Sequence, residues 1–153
     1  MEVGDEFPGF RLTDQNGAEV DSAELAGVAH VVYFYPRDNT PGCTAEALDF
    51  NASLAEFEAV GVRVLGVSAD SVKSHANFAD RHGLGFTLLS DPDKVLLNAV
   101  GAWGTKRMYG REYEGVFRTT FLIGRDGRVA RAWRKVRVKG HVAEVLEAAR
   151  ALG

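Results

Sequence analysis

The segment Val31–Tyr35, which reads VVYFY, decides the fold class of this chain. It is a continuous run of β-branched and aromatic residues, which is typical of a strand covered on both faces of a sheet. Pro36 ends this strand, and a helical pattern begins near Pro41. The sequence therefore predicts an α/β fold in which Val31–Tyr35 is a central strand.

Further strands and helices alternate along the rest of the chain. The turn signal Asn16-Gly17 predicts an N-terminal β-hairpin, with strands at Phe10–Leu12 and Glu19–Val20. The order of elements predicts a central mixed β-sheet flanked by helices, with Trp103–Glu114 as a long loop. The remaining predicted strands are Val62–Val67, Phe86–Leu89, Val116–Ile123 and Val129–Trp133; the predicted helices are about Pro41–Val60, Ser71–His82, Pro92 to near Gly101 with Asp91 as N-cap, and a last helix holding Val142, Val145, Leu146 and Ala149.

Length and composition restrict the classes of protein to which the chain can belong. With 153 residues, 46% of them hydrophobic and 25% charged, it has the composition of one globular domain spanning residues 1–153. A net charge of -3 argues against a nucleic-acid partner. Since the sequence shows neither a signal-peptide pattern nor an apolar run of about 18 residues, we expect no membrane association and a cytoplasmic location.

Cys43 is the single cysteine of the chain. It can form neither an internal disulfide nor a multi-cysteine metal site. The four histidines, His30, His75, His82 and His141, show no recognised metal-ligand spacing and are better explained as core or surface residues. We therefore expect neither a metal nor another cofactor.

The position of Cys43 in its predicted helix favours a reactive thiol. With Thr40 as N-cap and Pro41 at the first position, Cys43 is the third helical residue, where unpaired N–H groups and the helix dipole favour an anion. Helical spacing also places Cys43 on one face with Ala47 and Phe50, toward the protein body. A simpler interpretation stays open, in which Thr40 is only a cap and Cys43 is a small buried apolar residue.

The pattern Pro36-x-x-x-Thr40-x-x-Cys43 resembles the active-site signature of the peroxiredoxins, in the branch called peroxiredoxin Q or bacterioferritin comigratory protein. The segment Gly115–Ile123 resembles the later strand of that family, which carries its active-site arginine, here Arg118. The resemblance implies a thioredoxin-like fold and an antioxidant thiol peroxidase that reduces hydrogen peroxide or organic hydroperoxides. It also implies that Cys43 is the peroxidatic cysteine and that Pro36, Thr40 and Arg118 form its pocket.

One position departs from that family pattern. Many members of the branch carry a resolving cysteine five residues after the peroxidatic one, where this chain has Leu48. The chain therefore resembles a one-cysteine variant, whose sulfenic acid would be recycled by an external thiol such as thioredoxin, glutaredoxin or a small thiol. We expect a monomer or a weak homodimer.

The proposed pocket residues also have plainer interpretations. Arg118 shares a strand face with apolar residues and would need an anion there, although it could equally be an exposed charge at a strand start. Pro36 could shield the sulfur from water or simply end a strand. Glu46 could orient Arg118, but the helix dipole alone explains an acidic residue in a first turn, so it stays outside the predicted catalytic set.

Two other classes of function remain as alternatives. A disulfide oxidoreductase is disfavoured because the chain has no Cys-x-x-Cys pair, with Glu46 at the second position. A non-enzymatic redox sensor or binding module, in which oxidation of Cys43 changes only the affinity for a partner, would consume one equivalent of peroxide and then stop.

Overall fold

The protein, described here by a computed structural model over residues 1–152, contains nine strands and five helices in those residues. The strands are β1 (Arg11–Asp14), β2 (Glu19–Asp21), β3 (His30–Phe34), β4 (Arg63–Ser68), β5 (Thr87–Ser90), β6 (Trp103–Met108), β7 (Arg111–Val116), β8 (Thr119–Ile123) and β9 (Val129–Trp133). The helices are α1 (Pro41–Ala52), α2 (Leu54–Ala59), α3 (Val72–His82), α4 (Val95–Ala99) and α5 (His141–Ala151), with a short 3-10 helix at Ser22–Leu25.

Seven of these strands form one mixed sheet in the order β2-β1-β5-β4-β3-β8-β9. Strands β3, β4 and β5 are parallel, whereas β1, β2, β8 and β9 pair antiparallel with their neighbours. Every residue of β3 is buried, as its apolar sequence predicts. The central mixed sheet and the N-terminal hairpin are thus confirmed.

Apolar side chains cover both faces of the sheet. One face packs against α1, α2, α3 and α5 and contains Cys43, Phe50 and Tyr33. The opposite face packs against α4 and the 3-10 helix and contains Phe34 and Phe121. Alternate residues of β3 therefore point to opposite cores, which is why apolar and aromatic residues follow one another without interruption from Val31 to Phe34. Among residues 1–152, no helix has the length and apolar character needed to cross a membrane.

The predicted long helix Pro41–Val60 is wrong in one respect, because it is interrupted at Ser53. The backbone of Ser53 leaves helical geometry, with φ -101° and ψ 5°, and its N–H group is shared among carbonyls of the preceding turn. Serine is a weak helix former because its side chain competes for backbone hydrogen bonds. The helix therefore divides into α1 and α2, and Phe57 in α2 is buried.

The helix predicted to start at Pro92 begins later, at Val95. Lys94 precedes it in a left-handed conformation, with φ 58°. Asp91 still caps this helix, but from a distance: its carboxylate accepts the N–H groups of Val95 at 3.0 Å and Leu97 at 2.8 Å. A turn that contains Pro92 lies between Asp91 and the helix, so the helix starts three residues later than predicted.

Trp103–Glu114 is not a loop, and Val116–Ile123 is not one strand. Strands β6 and β7 form a hairpin whose two turn residues, Tyr109 and Gly110, have φ values of 51° and 77°. Such a turn matches the right-handed twist of the paired strands, but a Tyr-Gly pair is a weak sequence signal for it. The chain then leaves the hairpin after Val116 and enters the main sheet at Thr119. This break, at Phe117 and Arg118, faces the start of α1.

Candidate active site

Cys43 is the third residue of α1 and is almost fully buried, with 1% of its surface exposed. Thr40 is the N-cap residue, in an extended conformation, as predicted. However, the Thr40 side chain makes no capping hydrogen bond, so it leaves the N–H groups of the first turn without a side-chain cap. The sulfur therefore lies in an interior position where backbone dipoles favour a negative charge.

Arg118 supplies a positive charge at this sulfur. Its Nη2 atom donates to Cys43 Sγ at 3.4 Å, and its Nη1 atom donates to Glu46 Oε1 at 2.5 Å. Gly42 leaves room for this approach, because a β-carbon there would make a tight contact of 3.2 Å with Nη2. The guanidinium group thus bridges the thiol and a carboxylate, which lie one helical turn apart on α1.

Glu46 belongs to this arrangement, although the sequence-based set omits it. Its side chain is fully buried, and burial raises its pKa to about 7 even though Arg118 acts in the opposite direction. Its second oxygen, Oε2, has no hydrogen-bond partner among residues 1–152, and neither does the buried Tyr33 hydroxyl. The spacing of Glu46 three residues after Cys43, on the helix face toward Arg118, is the sequence signal that could have identified it.

Thr40 and Pro36 lie close to Cys43 along the chain, but their side chains play different parts in the structure. The Thr40 hydroxyl donates to the Arg37 carbonyl oxygen at 2.9 Å, so its proton is not directed at the sulfur. In this arrangement the hydroxyl can accept a hydrogen bond from a neighbouring group but has no further proton to donate. Pro36 is half-buried directly after Tyr35, whose N–H group still pairs with Val67 at the end of β4.

The charge of Arg118 also affects two titratable groups on other elements. Burial lowers the pKa of Lys106 in β6, and the nearby Arg118 lowers it further. Burial likewise lowers the pKa of His141 to about 4, again with a contribution from Arg118, so this histidine is neutral near neutral pH. The β6–β7 hairpin therefore brings Lys106 to the edge of the site.

Comparison with known proteins gives this geometry a family context. The chain matches the AhpC/TSA family over residues 3–132. It is 49% identical over 140 residues to peroxiredoxin Bcp of Xanthomonas campestris, an overlap of 92% of this chain and 88% of the relative. The chain belongs to the AhpC/TSA family. Its relationship to the peroxiredoxin Q branch, inferred above from Pro36, Thr40 and Cys43, is thus confirmed.

Solved structures of AhpC/TSA relatives confirm the thioredoxin-like fold. The bacterioferritin comigratory protein of Xanthomonas campestris, described with alkyl peroxide reduction activity, has a TM-score of 0.91 and 44% identity, covering 98% of each chain. Two variants of peroxiredoxin Q from the same species, also 44% identical, have TM-scores of 0.93 and 0.91 and cover 98% or more of both chains. Those variants replace two different cysteines by serine, so that relative has at least two cysteines, whereas this chain has only Cys43.

The buried Glu46 carboxyl predicts a specific pH dependence of stability. The unfolded chain releases this proton near the ordinary value of 4.5, whereas the folded protein keeps it until about pH 7. The contribution of this group to stability is therefore complete below about pH 4.5 and is lost as the pH rises toward 7. We expect Glu46→Gln to remove this loss, because an amide does not titrate.

The measurement is the free energy of unfolding in urea, from pH 4 to 8, for the wild type and for Glu46→Gln. All other titratable groups are common to the two proteins, so the difference between the curves isolates Glu46. As the pH rises from about 4.5 to 7, the free energy of unfolding of Glu46→Gln should increase relative to that of the wild type. Parallel curves would show that the carboxyl keeps its ordinary titration in the folded protein.

Proposed function

We propose that the protein is a thiol-dependent peroxidase that reduces hydrogen peroxide or organic hydroperoxides. The observation that carries this proposal is the buried Cys43 sulfur at a helix N-terminus, 3.4 Å from the Arg118 guanidinium. A thiolate is the nucleophilic form of cysteine, and both features favour it. Membership of the AhpC/TSA family and the alkyl peroxide reduction described for a relative point to the same chemistry.

The first half of the reaction is a displacement at oxygen. The Cys43 thiolate attacks the terminal peroxide oxygen, an S–O bond forms, and the O–O bond breaks. The sulfur becomes a sulfenic acid, and the leaving hydroxide or alkoxide takes a proton to give water or an alcohol. Negative charge moves from the sulfur to the leaving oxygen, so a donor that faces both positions stabilises the transition state.

Three residues are proposed to hold the peroxide. Arg118 Nη2 faces the sulfur and can donate to the peroxide oxygens as charge develops on them. Since the Thr40 hydroxyl gives its proton to Arg37, its free lone pairs can accept the O–H group of the peroxide. Pro36 has no N–H group and is half-buried, so it is suited to exclude water from the thiolate.

The second half of the reaction needs a thiol from outside the chain. An external thiol attacks the sulfenic sulfur and releases water, and a second thiol then reduces the mixed disulfide to restore Cys43. Cys43 has no second cysteine to react with. Thioredoxin, glutaredoxin or a small thiol would each suit this step.

We also propose that residues 1–153 form a single domain and that the protein acts as a monomer or a weak homodimer.

Continuous turnover distinguishes this enzyme from a redox sensor. With excess peroxide and a dithiol reductant, we expect the wild type to consume many equivalents of peroxide, and Cys43→Ser to consume none, because an alcohol does not ionise near neutral pH. Peroxide loss and reductant oxidation are followed together. Consumption of one equivalent by the wild type, followed by a stable oxidised protein, would instead support the sensor.

Arg118 is expected to act on the transition state as well as on the sulfur. We compare the double variant Glu46→Gln/Arg118→Ala with the single variant Glu46→Gln. Because Glu46 is replaced in both proteins, the loss of Arg118 leaves no buried carboxylate without its partner. The second-order rate with hydrogen peroxide should fall by about 100-fold, as removal of a preorganised donor does. Stopped-flow tryptophan fluorescence gives this rate across a range of pH.

The matched control is Arg107→Ala, since Arg107 is an exposed arginine on the neighbouring hairpin, paired with Glu112. It should keep the wild-type rate. Full recovery of the Arg118→Ala rate at a pH that ionises the thiol completely would mean that Arg118 acts only on ionisation.

A chain with one cysteine should also be sensitive to excess peroxide. Without reductant, we expect Cys43 to pass from the sulfenic to the sulfinic acid, because no neighbouring thiol traps the first product. Intact mass spectrometry should show the addition of two oxygen atoms, and an external thiol added together with peroxide should prevent it. A stable product with one added oxygen atom would contradict this expectation.

A further inference from the structure

His75 lies in the first turn of α3, fully buried, and both of its ring nitrogens face hydrogen-bond acceptors. Nδ1 lies 2.7 Å from Asp38 Oδ2, and Nε2 lies 2.9 Å from the Leu89 carbonyl oxygen. A carbonyl oxygen cannot donate, and an ionised carboxylate cannot either. Both ring nitrogens are therefore occupied within the protein, Nδ1 by the carboxyl group of Asp38 and Nε2 by the backbone of Leu89.

Asp38 is surrounded by donors that favour its ionised form. In addition to His75, it accepts the Tyr35 hydroxyl at 2.6 Å and the Ser74 hydroxyl at 2.8 Å. Burial opposes ionisation, but these donors, His75 first among them, hold the pKa of Asp38 below its ordinary value. His75 and Asp38 therefore form a buried pair in which each polar atom has a partner, and a side chain at position 75 that cannot donate to Asp38 would leave this carboxyl group short of a hydrogen-bond donor.

The loop between β3 and α1 carries Asp38. Its neighbours Arg37 and Asn39 are exposed, whereas Asp38 points into the protein. Its N–H group also donates to Asp70 Oδ2 at 2.9 Å, at the end of β4. These contacts attach the loop to β4 and α3, five residues before Cys43.

These three side chains, Asp38, Asp70 and His75, lie close enough together to suggest a metal site. Their ligand atoms are already used, however. Both nitrogens of His75 are occupied within the protein, and Asp70 accepts the Ser68 hydroxyl at 2.6 Å as well as the Asp38 N–H group. The cluster is explained as a hydrogen-bond network.

We propose that His75 is a positioning residue for the chemistry of Cys43: by clamping Asp38, it fixes the loop that sets the first turn of α1 against Arg118. The inference rests on the proposed peroxidase function. Thr40 and Cys43 lie two and five residues after Asp38 along the chain, so a shift of the loop displaces both of them relative to the guanidinium. A displacement of about 1 Å can lower a rate on the order of 100-fold.

Two amide substitutions separate positioning from packing. In His75→Asn the side-chain nitrogen is as many bonds from Cα as Nδ1, so it can still donate to Asp38. In His75→Gln it is as many bonds away as Nε2, so it can reach Leu89 but not Asp38. Since Asn is smaller than Gln and leaves the larger void, packing alone predicts that His75→Asn is the more damaged protein.

Asp38 offers a second matched pair. In Asp38→Asn, the amide oxygen can accept from Tyr35 and the amide nitrogen can donate to a neutral His75, which still donates to Leu89 through Nε2. The contacts with Tyr35, His75 and Leu89 are thus retained without charge, and the second N–H of the amide can donate to the Ser74 hydroxyl, which lies 2.8 Å from the same atom. Asp38→Ala removes them and leaves His75 unmatched.

Two rates are measured for all four variants and the wild type: oxidation by hydrogen peroxide, and alkylation of reduced Cys43 by iodoacetamide, which reports whether the buried sulfur becomes accessible. We expect His75→Gln and Asp38→Ala to react with peroxide at least about 10-fold more slowly and to be alkylated faster. His75→Asn and Asp38→Asn should stay near the wild type in both assays. Thermal unfolding confirms that each variant is folded.

Loss of peroxide reactivity in His75→Asn equal to or greater than that in His75→Gln would show that His75 only fills space, and would overturn the inference. So would unchanged rates in all four variants. If the wild type itself does not react with peroxide, the proposed function fails, and the order of alkylation rates still decides whether the clamp holds the loop. If a variant of one residue does not fold, the matched pair at the other residue still tests the contact between Asp38 and His75.

Discussion

The bridge from Arg118 to both Cys43 and Glu46 is the interaction on which the site depends. A guanidinium group in a largely buried position requires anions, and the first two turns of α1 present a sulfur and a carboxylate on the same face. Because Glu46 titrates near neutral pH, its charge does not fully neutralise Arg118. In the proposed reaction, the remaining positive field of Arg118 acts on the sulfur and on the oxygens of the peroxide.

The fold brings these groups together through interruptions of regular structure. Arg118 lies in a two-residue break between β7 and β8, where its side chain can turn toward α1. On the other side, the loop after β3 leaves the sheet and is fastened by the buried Asp38–His75 pair before the helix begins. The rigid strand β3 thus lies at the centre of the sheet, and the loop after β3 and the break between β7 and β8 position Cys43 and Arg118 at its end.

Local patterns in the sequence were sufficient to predict the position of Cys43 in its helix and the strands at the core of the sheet. The apolar run Val31–Tyr35 and the Thr40–Pro41 start of α1 each depend on neighbouring residues, so their periodicity predicts them. Contacts between segments that are distant in the sequence could not be predicted in this way. Glu46 has an ordinary explanation within its own helix, and only the approach of Arg118, 72 residues later, gives it a second role. The direction of the Thr40 hydroxyl and the pairing of His75 with Asp38 likewise depend on tertiary packing that no single segment encodes.

In the proposed reaction, peroxide oxidises the buried Cys43 sulfur to a sulfenic acid. This step is tested by adding one equivalent of hydrogen peroxide, then dimedone to trap the sulfenic acid, and by analysing the peptides by mass spectrometry. We expect a single dimedone adduct, on the peptide that contains Cys43, and none without peroxide. An unmodified Cys43 beside unconsumed peroxide, or oxidation confined to the methionines, would contradict it.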